Sequence, residues 1–332
     1  MATYKGIQGY RVESLASDPP AAIGQGQLWY NSASNVWKVG TVGAGAWAAG
    51  GSLNVGRPQS SGMGFGIQTA AICAGGNTPP ITLKTEQYNG TAWTELASPS
   101  DLTYTAYTRN SGAGGTITAG IMFGGNPGVS PPWTTNDTEL WNGSTWTETS
   151  DMNSSHRLSG GLGTSTAGAC VGGYQNDSTT FTETEEFNGA SWAVIPAGNT
   201  NTDSYAYGSC GLQTAGMIVG GTPSLTQTEI YDGATWSTSP ATLNTGRNDL
   251  QGFGSTTACS FMGGDPSPGN LKTESFNGTS WTEVADSTLT KYNSSGAGTQ
   301  SLGLGFGGPA GSGKATEEWN GAPEAIQTVT TS

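Results

Sequence analysis

Short runs of apolar and small residues alternate along this chain with stretches rich in Thr, Asn and Ser. Six of the runs end in Gly-Gly, at 71–76, 121–125, 169–173, 217–221, 259–264 and 304–308. An apolar run this short, bounded by glycine, predicts a buried strand rather than a helix. After each run comes Thr-Glu-x-aromatic-Asn/Asp-Gly, with the aromatic at Tyr88, Trp141, Phe187, Tyr231, Phe276 and Trp319. The Asn-Gly or Asp-Gly pair predicts a tight hairpin, because both residues tolerate positive φ. In the first five units a Trp stands three residues beyond that glycine: Trp93, Trp146, Trp192, Trp236 and Trp281.

Each unit therefore reads as four short strands. The first is Gly-rich (Ser111-Gly112-Ala113-Gly114, Ser295-Gly296-Ala297-Gly298), and a turn containing Thr-Ala leads to the apolar second strand. The third carries Thr-Glu-x-aromatic, and the fourth starts at the Trp, whose bulk suits the space between neighbouring sheets. The Gly-Gly pairs recur every 43 to 49 residues, the period of propeller blades. Small side chains fit the crowded strand nearest a propeller axis. The expected fold is all-β: a six-bladed propeller over 41–322. The sixth unit has no Trp after Gly321, whereas Trp47 near the other end lacks a unit of its own. The stretch after it, Leu53-Asn54-Val55-Gly56-Arg57, matches Leu243-Asn244-Thr245-Gly246-Arg247 after Trp236. The strand around Trp47 is thus expected to complete the last blade and close the ring, leaving no open edge. Residues 1–40 form a separate segment with a short hairpin, and 323–332 a C-terminal tail.

Composition excludes several classes. Glycine is abundant (54 residues), but 11 Trp, 11 Tyr and 8 Phe at regular intervals argue for order rather than disorder. No apolar run is long enough to span a bilayer, and the start, Met1-Ala2-Thr3-Tyr4-Lys5, has no secretion-signal core. Only 11 Lys and Arg against a net charge of −13 leave no cluster of cations to neutralise nucleic-acid phosphates. Cys73, Cys170, Cys210 and Cys259 lie far apart, without the close pairs of a zinc site or the density of a disulfide scaffold. They are expected as buried free thiols, in a reducing compartment.

The apolar run before Gly-Gly, the spaced aromatic and Trp, and the four-strand order resemble the kelch repeat over roughly residues 44–321. The link from aromatic to Trp is shorter here than in most kelch repeats. Residues 24–39, Gly24-Gln25-Gly26-Gln27-Leu28-Trp29-Tyr30-Asn31 through Val39, look like the short hairpin common in structural proteins of tailed phages. Marine phages couple such segments to kelch-like repeats. The resemblance implies a non-enzymatic virion protein assembled in the host cytoplasm: a tail fibre, tail tip or baseplate component, or a capsid decoration. Residues 1–40 would attach it to other virion proteins, and homo-oligomers are compatible with it. No cofactor or metal is implied. A carbohydrate-active propeller enzyme and a secreted glycan-binding, lectin-like protein are the alternatives.

Few residues suggest chemistry. The chain has one histidine, His156, so the two-His site of kelch-type copper oxidases cannot be assembled. A lone His in a polar link reads as a surface residue, and no catalytic residue is assigned. The glutamates Glu86, Glu139, Glu185, Glu229, Glu274 and Glu317 recur once per unit. They could form a cation-binding ring, but six equivalent groups suit a structural role better than the unequal roles of an active site. Arg57, Arg109, Arg157, Arg247 and Lys291 all follow a Trp strand. Either they tie blades together through those glutamates, or they line the mouth of the central channel and meet an acidic partner. The links that vary most, 77–84, 126–137, 174–182 and 98–107, should emerge on one face, where recognition usually resides. Trp133, Tyr174, Tyr104 and Tyr107 are the aromatic candidates there for a host-surface glycan or protein, with Arg109, Arg157 and Arg247 as the polar ones.

Overall fold

The computed structural model describes residues 13–17, 28–42, 45–58, 64–76, 82–98, 100–103, 112–126, 133–175, 179–266, 271–309, 313–321 and 324–329. Among these the fold is all-β, without an α-helix. The chain divides into two compact units, 1–45 with 321–332, and 46–320.

In the smaller unit, Glu13–Leu15 pairs in parallel with Leu28–Asn31, which forms an antiparallel hairpin with Val36–Val42. The turn between them is set by Asn31, whose Oδ1 accepts from the backbone N–H groups of Ala33 (3.1 Å) and Ser34 (3.0 Å), the local bonding that places Asn in turns. Glu324–Thr328 then pairs antiparallel with Val36–Val42. Residues 323–332, expected as a tail, thus contribute a strand. Its alternation is too short and too polar to have signalled one.

The larger unit holds six four-stranded antiparallel sheets in a propeller-like repetition. Sheet one comprises Gly64–Ile67, Ala70–Ala74, Thr85–Tyr88 and Trp93–Glu95; sheet two comprises Gly112–Thr116, Ala119–Phe123, Thr138–Trp141 and Trp146–Glu148. Sheet three comprises Gly160–Thr164, Ala167–Gln175, Thr179–Phe187 and Trp192–Val194; sheet four comprises Gly208–Leu212, Ala215–Val219, Thr228–Tyr231 and Trp236–Thr238. Sheet five comprises Gln251–Ser255, Ala258–Met262, Thr273–Phe276 and Trp281–Glu283. Sheet six comprises Ser294–Gly298, Leu302–Gly307 and Thr316–Asn320, and takes its fourth strand from Ala46–Ala49, with Trp47 opposite Trp319.

The first strands neighbour one another in sequence order, and that of sheet six also neighbours that of sheet one. They can come this close because every one of them carries at least two glycines. A Cβ on Gly114 of sheet two would lie 2.4 Å from Gly163 O, and one on Gly161 of sheet three 2.6 Å from Ala113 N, so the approach of these two first strands requires glycine.

Alternation along the third strand explains how sheets meet. Successive residues point to opposite faces. The Thr of Thr-Glu faces the following sheet and accepts a hydrogen bond from that sheet's Trp indole. Trp146 Nε1 donates to Thr85 (2.9 Å), Trp192 to Thr138 (3.0 Å), Trp236 to Thr184 (2.9 Å) and Trp281 to Thr228 (3.0 Å). Trp47 donates to Thr273 (3.0 Å) and Trp93 to Thr316 (2.9 Å). Each Trp also packs on the aromatic of its own sheet at 4.9 to 5.4 Å between ring centroids, within the range of favourable ring pairs.

That aromatic lies on the opposite face from the Thr and meets the preceding sheet. Tyr88 donates to Glu318 of sheet six (2.5 Å) and Tyr231 to Glu186 of sheet three (2.8 Å). Phe187 and Phe276 instead pack in clusters with Leu140 and Ile230 of the preceding sheets. Where the next sheet's aromatic is Tyr or Phe, the x of Thr-Glu-x-aromatic thus matches it. Burial and the Glu318 bond push the Tyr88 hydroxyl up to about 12. The four cysteines are buried and free, and burial pushes the Cys73 thiol up to about 12, so these thiols are not poised to react.

Thr184→Val, which keeps the volume but removes the acceptor of Trp236, is expected to lower the unfolding free energy by about 1–3 kcal/mol. Thr238→Val, on an exposed outer strand, is expected to change it by less than about 0.5 kcal/mol. Urea denaturation of both variants checks the difference.

Candidate functional site

The glutamate beside each Thr faces the preceding sheet and receives the linker that arrives from it. In sheet one, Glu86 Oε2 accepts from Asn54 N (2.7 Å) and Asn54 Nδ2 (2.9 Å), and Oε1 accepts from Val55 N (3.1 Å). Sheets three and five repeat the pattern with Asn153 and Ser154 on Glu185, and Asn244 and Thr245 on Glu274. Asn201 serves Glu229, while Thr103 and Thr288 serve Glu139 and Glu317. All six glutamates are buried. A carboxylate taken out of water needs such donors to stay ionised.

Three residues past that Asn or Thr, the linkers of five sheets offer a partner whose type varies. It is Arg57 in sheet one, its Nη2 3.0 Å from Glu86, and Arg247 in sheet five, 3.1 Å from Glu274. Both guanidiniums are fully buried and also donate to carbonyls of the sheet they enter, Gly75 and Lys84 for Arg57, Gly263 and Lys272 for Arg247. In sheet six it is Lys291, whose Nζ donates to Gly307 O and Ala315 O (both 3.2 Å). Burial drops the Lys291 ammonium to about 8, against the opposing pull of Glu317. In sheet four it is Ser204, which donates to Thr222 O (2.7 Å), and Glu229 Oε1 has no hydrogen-bond partner among the described residues. The Gly-Gly pair completes the arrangement. The N–H of its second glycine donates to the carbonyl of the linker residue: Gly125 to His156, Gly221 to Arg247, Gly264 to Lys291. A Cβ on Gly263 would meet that Lys291 oxygen at 1.7 Å.

Sheet three departs from this regularity. Its partner residue is His156, fully buried. It is not the surface residue expected of a lone His in a polar link. Nδ1 lies 2.9 Å from Gly172 O, and Nε2 lies 3.3 Å from Glu185 Oε1 and 3.8 Å from Glu183 Oε1. Phe181 covers the imidazole at 4.6 Å. Burial works against ionisation of Glu185, but hydrogen bonds from His156, Asn153 and Ser154 outweigh it and hold its carboxyl below the usual value. The second and third strands here run nine residues each, with a register shift between Val171 and Gly173. Their extension carries Tyr174, which stacks on Tyr205 (4.8 Å) and lies under the Arg157 guanidinium (5.2 Å). All three side chains are partly exposed.

Several expectations are corrected. Arg247 is sealed in an ion pair and cannot meet a ligand. Arg157 is not the counterpart of Arg57: counted from Asn153, that place belongs to His156, and Arg157 turns outward onto Tyr174. Among the described residues, the cations do not line the central cavity. A cavity of about 170 Å³ is bounded by the first strands of all six sheets, with Phe65, Tyr207, Asp249 and Phe253 among mostly Gly and Ala, and none of Arg57, Arg157, Arg247 and Lys291 lines it. Nor do the six glutamates line it. Trp133 is half-buried, two residues before Thr135, which bridges His156. Tyr104, Tyr107 and Arg109 lie outside the described residues. Glu183, Phe181 and Tyr205 carried no repeat signal and were not singled out; aligning linkers on their Asn rather than on charge would have found His156.

Arg247→Ala leaves Glu274 buried without its cation and is expected to cost about 3–5 kcal/mol in urea denaturation. Lys291 gives a pH signature. Its folded value, about 8, lies below the unfolded one, so the folded state releases this proton first. The cost of burying the charge is complete below pH 8 and fades as pH rises toward the unfolded value. Wild type should therefore gain on the order of 2 kcal/mol relative to Lys291→Met between pH 7 and about 9.5, measured by denaturation at each pH.

Comparison of the chain with protein-family models gives no match, and no curated protein matches it significantly.

Proposed function

We propose that the six sheets are the blades of a closed, kelch-like six-bladed β-propeller, and that the chain is a non-enzymatic structural and recognition module of a phage virion. The observation that carries this reading is the cyclic order of the Trp-to-Thr bonds, which runs through every sheet and returns from sheet one to sheet six. The strand Ala46–Ala49 supplies the Trp that sheet six lacks, and is the proposed closing strand. Such a scaffold spends its buried ionisable groups on holding linkers rather than on turnover, which favours binding over catalysis.

The recognition surface is the partly exposed ledge of Tyr174, on the extended hairpin of sheet three, with Arg157 and Tyr205 from the linkers before and after that sheet. Stacked aromatic faces beside a guanidinium suit the apolar face of a sugar ring or a planar acidic group. Residues 1–40 are the proposed attachment to other virion proteins, on the resemblance of residues 24–39 to phage structural hairpins.

Full-length protein is expected to bind the host envelope or a glycan array without releasing product. Tyr174→Ala combined with Tyr205→Ala is expected to weaken binding roughly tenfold or more, with Tm changed by no more than about 3 °C. Mass spectrometry of purified virions checks the location. Virions lacking the polypeptide would remove the phage reading, and product release from a polysaccharide would replace it with an enzyme.

A further inference from the structure

Sheet three breaks the repetition in its charges. In sheets one and five one guanidinium faces one carboxylate. In sheet three two carboxylates, Glu183 and Glu185, face a single imidazole. The position before the Thr, occupied by Lys84 and Lys272 in sheets one and five, is Glu183 here.

The imidazole is held in one orientation. The Gly172 carbonyl can only accept, so Nδ1 carries the hydrogen, and Nε2 is aimed at the carboxylates. In neutral His156 a lone pair then faces two oxygens, an arrangement that a proton or a metal ion between them makes favourable. His156 Nε2 and one oxygen from each glutamate lie within 4.8 Å of one another. Ligands bound at about 2.0–2.2 Å around a tetrahedral ion stand roughly 3.3–3.6 Å apart, so modest rotation of Glu183 would suffice.

The surroundings suit a ligand set. Gly172 O fixes the imidazole, and Asn153 and Ser154 fix Glu185, the supporting hydrogen bonds that metal ligands normally have. Glu183 Oε1 is buried without a hydrogen-bond partner among the described residues, while its side chain as a whole is 25% exposed, which gives a path for entry. We propose that His156 Nε2, Glu183 and Glu185 bind a divalent transition-metal ion, with Zn²⁺ as the best match. An imidazole nitrogen disfavours Mg²⁺ and Ca²⁺, which prefer all-oxygen shells. Two carboxylates balance the charge of the ion, whereas in sheets one and five a guanidinium balances a single carboxylate. The ion would pin the linker to the root of the extended hairpin.

Full-length protein stripped with a chelator, then titrated with Zn²⁺, Mn²⁺, Mg²⁺ or Ca²⁺, tests this. The expected result is one equivalent of Zn²⁺, little response to Mg²⁺ or Ca²⁺, and a Tm rise of about 4 °C at a hundredfold excess over Kd. Because the chain has one histidine and its cysteines are buried, the ¹⁵N resonance of Nε2 reports the ligand directly and should shift on Zn²⁺ addition. Glu183→Gln should weaken binding at least roughly tenfold without lowering the metal-free Tm. His156→Arg, which installs the cation of sheets one and five, should abolish binding and keep the fold. A wild type that binds no Zn²⁺ at about 1 mM, equal binding by either variant, or an Nε2 that stays protonated in Zn²⁺ would each overturn the proposal.

Discussion

The structure depends on one dipeptide, the Thr-Glu of each third strand. Because neighbouring residues on a strand face opposite ways, its two side chains serve two different neighbours. The Thr hydroxyl accepts the indole N–H of the following sheet, and the Glu carboxylate gathers the linker arriving from the preceding one. A sheet of four short strands cannot bury its own faces. This dipeptide makes each face a specific joint, with buried polar groups that are costly to leave unpaired.

The other signatures follow from those joints. The Gly-Gly pair exists because the carbonyl of the linker's partner residue presses against it, as Lys291 does on Gly263. The variable x of Thr-Glu-x-aromatic follows the neighbour: acid where the next aromatic is Tyr, aliphatic where it is Phe. Identical sheets would pair equally well in any order. These mismatched surfaces favour the sequence order, and the proposed closure by Trp47 uses the same bond as the five internal joints.

Most of this framework was legible in the amino-acid sequence because it repeats. Six copies of Gly-Gly, Thr-Glu and Trp expose the period, and the missing Trp after Gly321 points to Trp47. The candidate site was far less legible because it is what does not repeat. Matching linkers by charge put Arg157 beside Arg57 and Arg247. The hydrogen bonds count from Asn153, which puts His156 there and frees Arg157 for Tyr174. Burial was equally hidden: a polar linker looks exposed, yet Arg57, Arg247, His156 and Lys291 are all sealed by the sheet that receives them. The strand at Glu324–Thr328 was missed because its pairing partner lies nearly the whole chain away.

The most direct test of the cyclic set of joints is hydrogen exchange of the tryptophan indole N–H groups by NMR. If the six bonds form one closed set, the Trp47 indole should be protected as strongly as those of Trp93, Trp146, Trp192, Trp236 and Trp281, all exchanging only through global unfolding. A Trp47 indole that exchanges orders of magnitude faster than the other five would mean that the strand Ala46–Ala49 frays as an ordinary terminal segment, and would contradict the account.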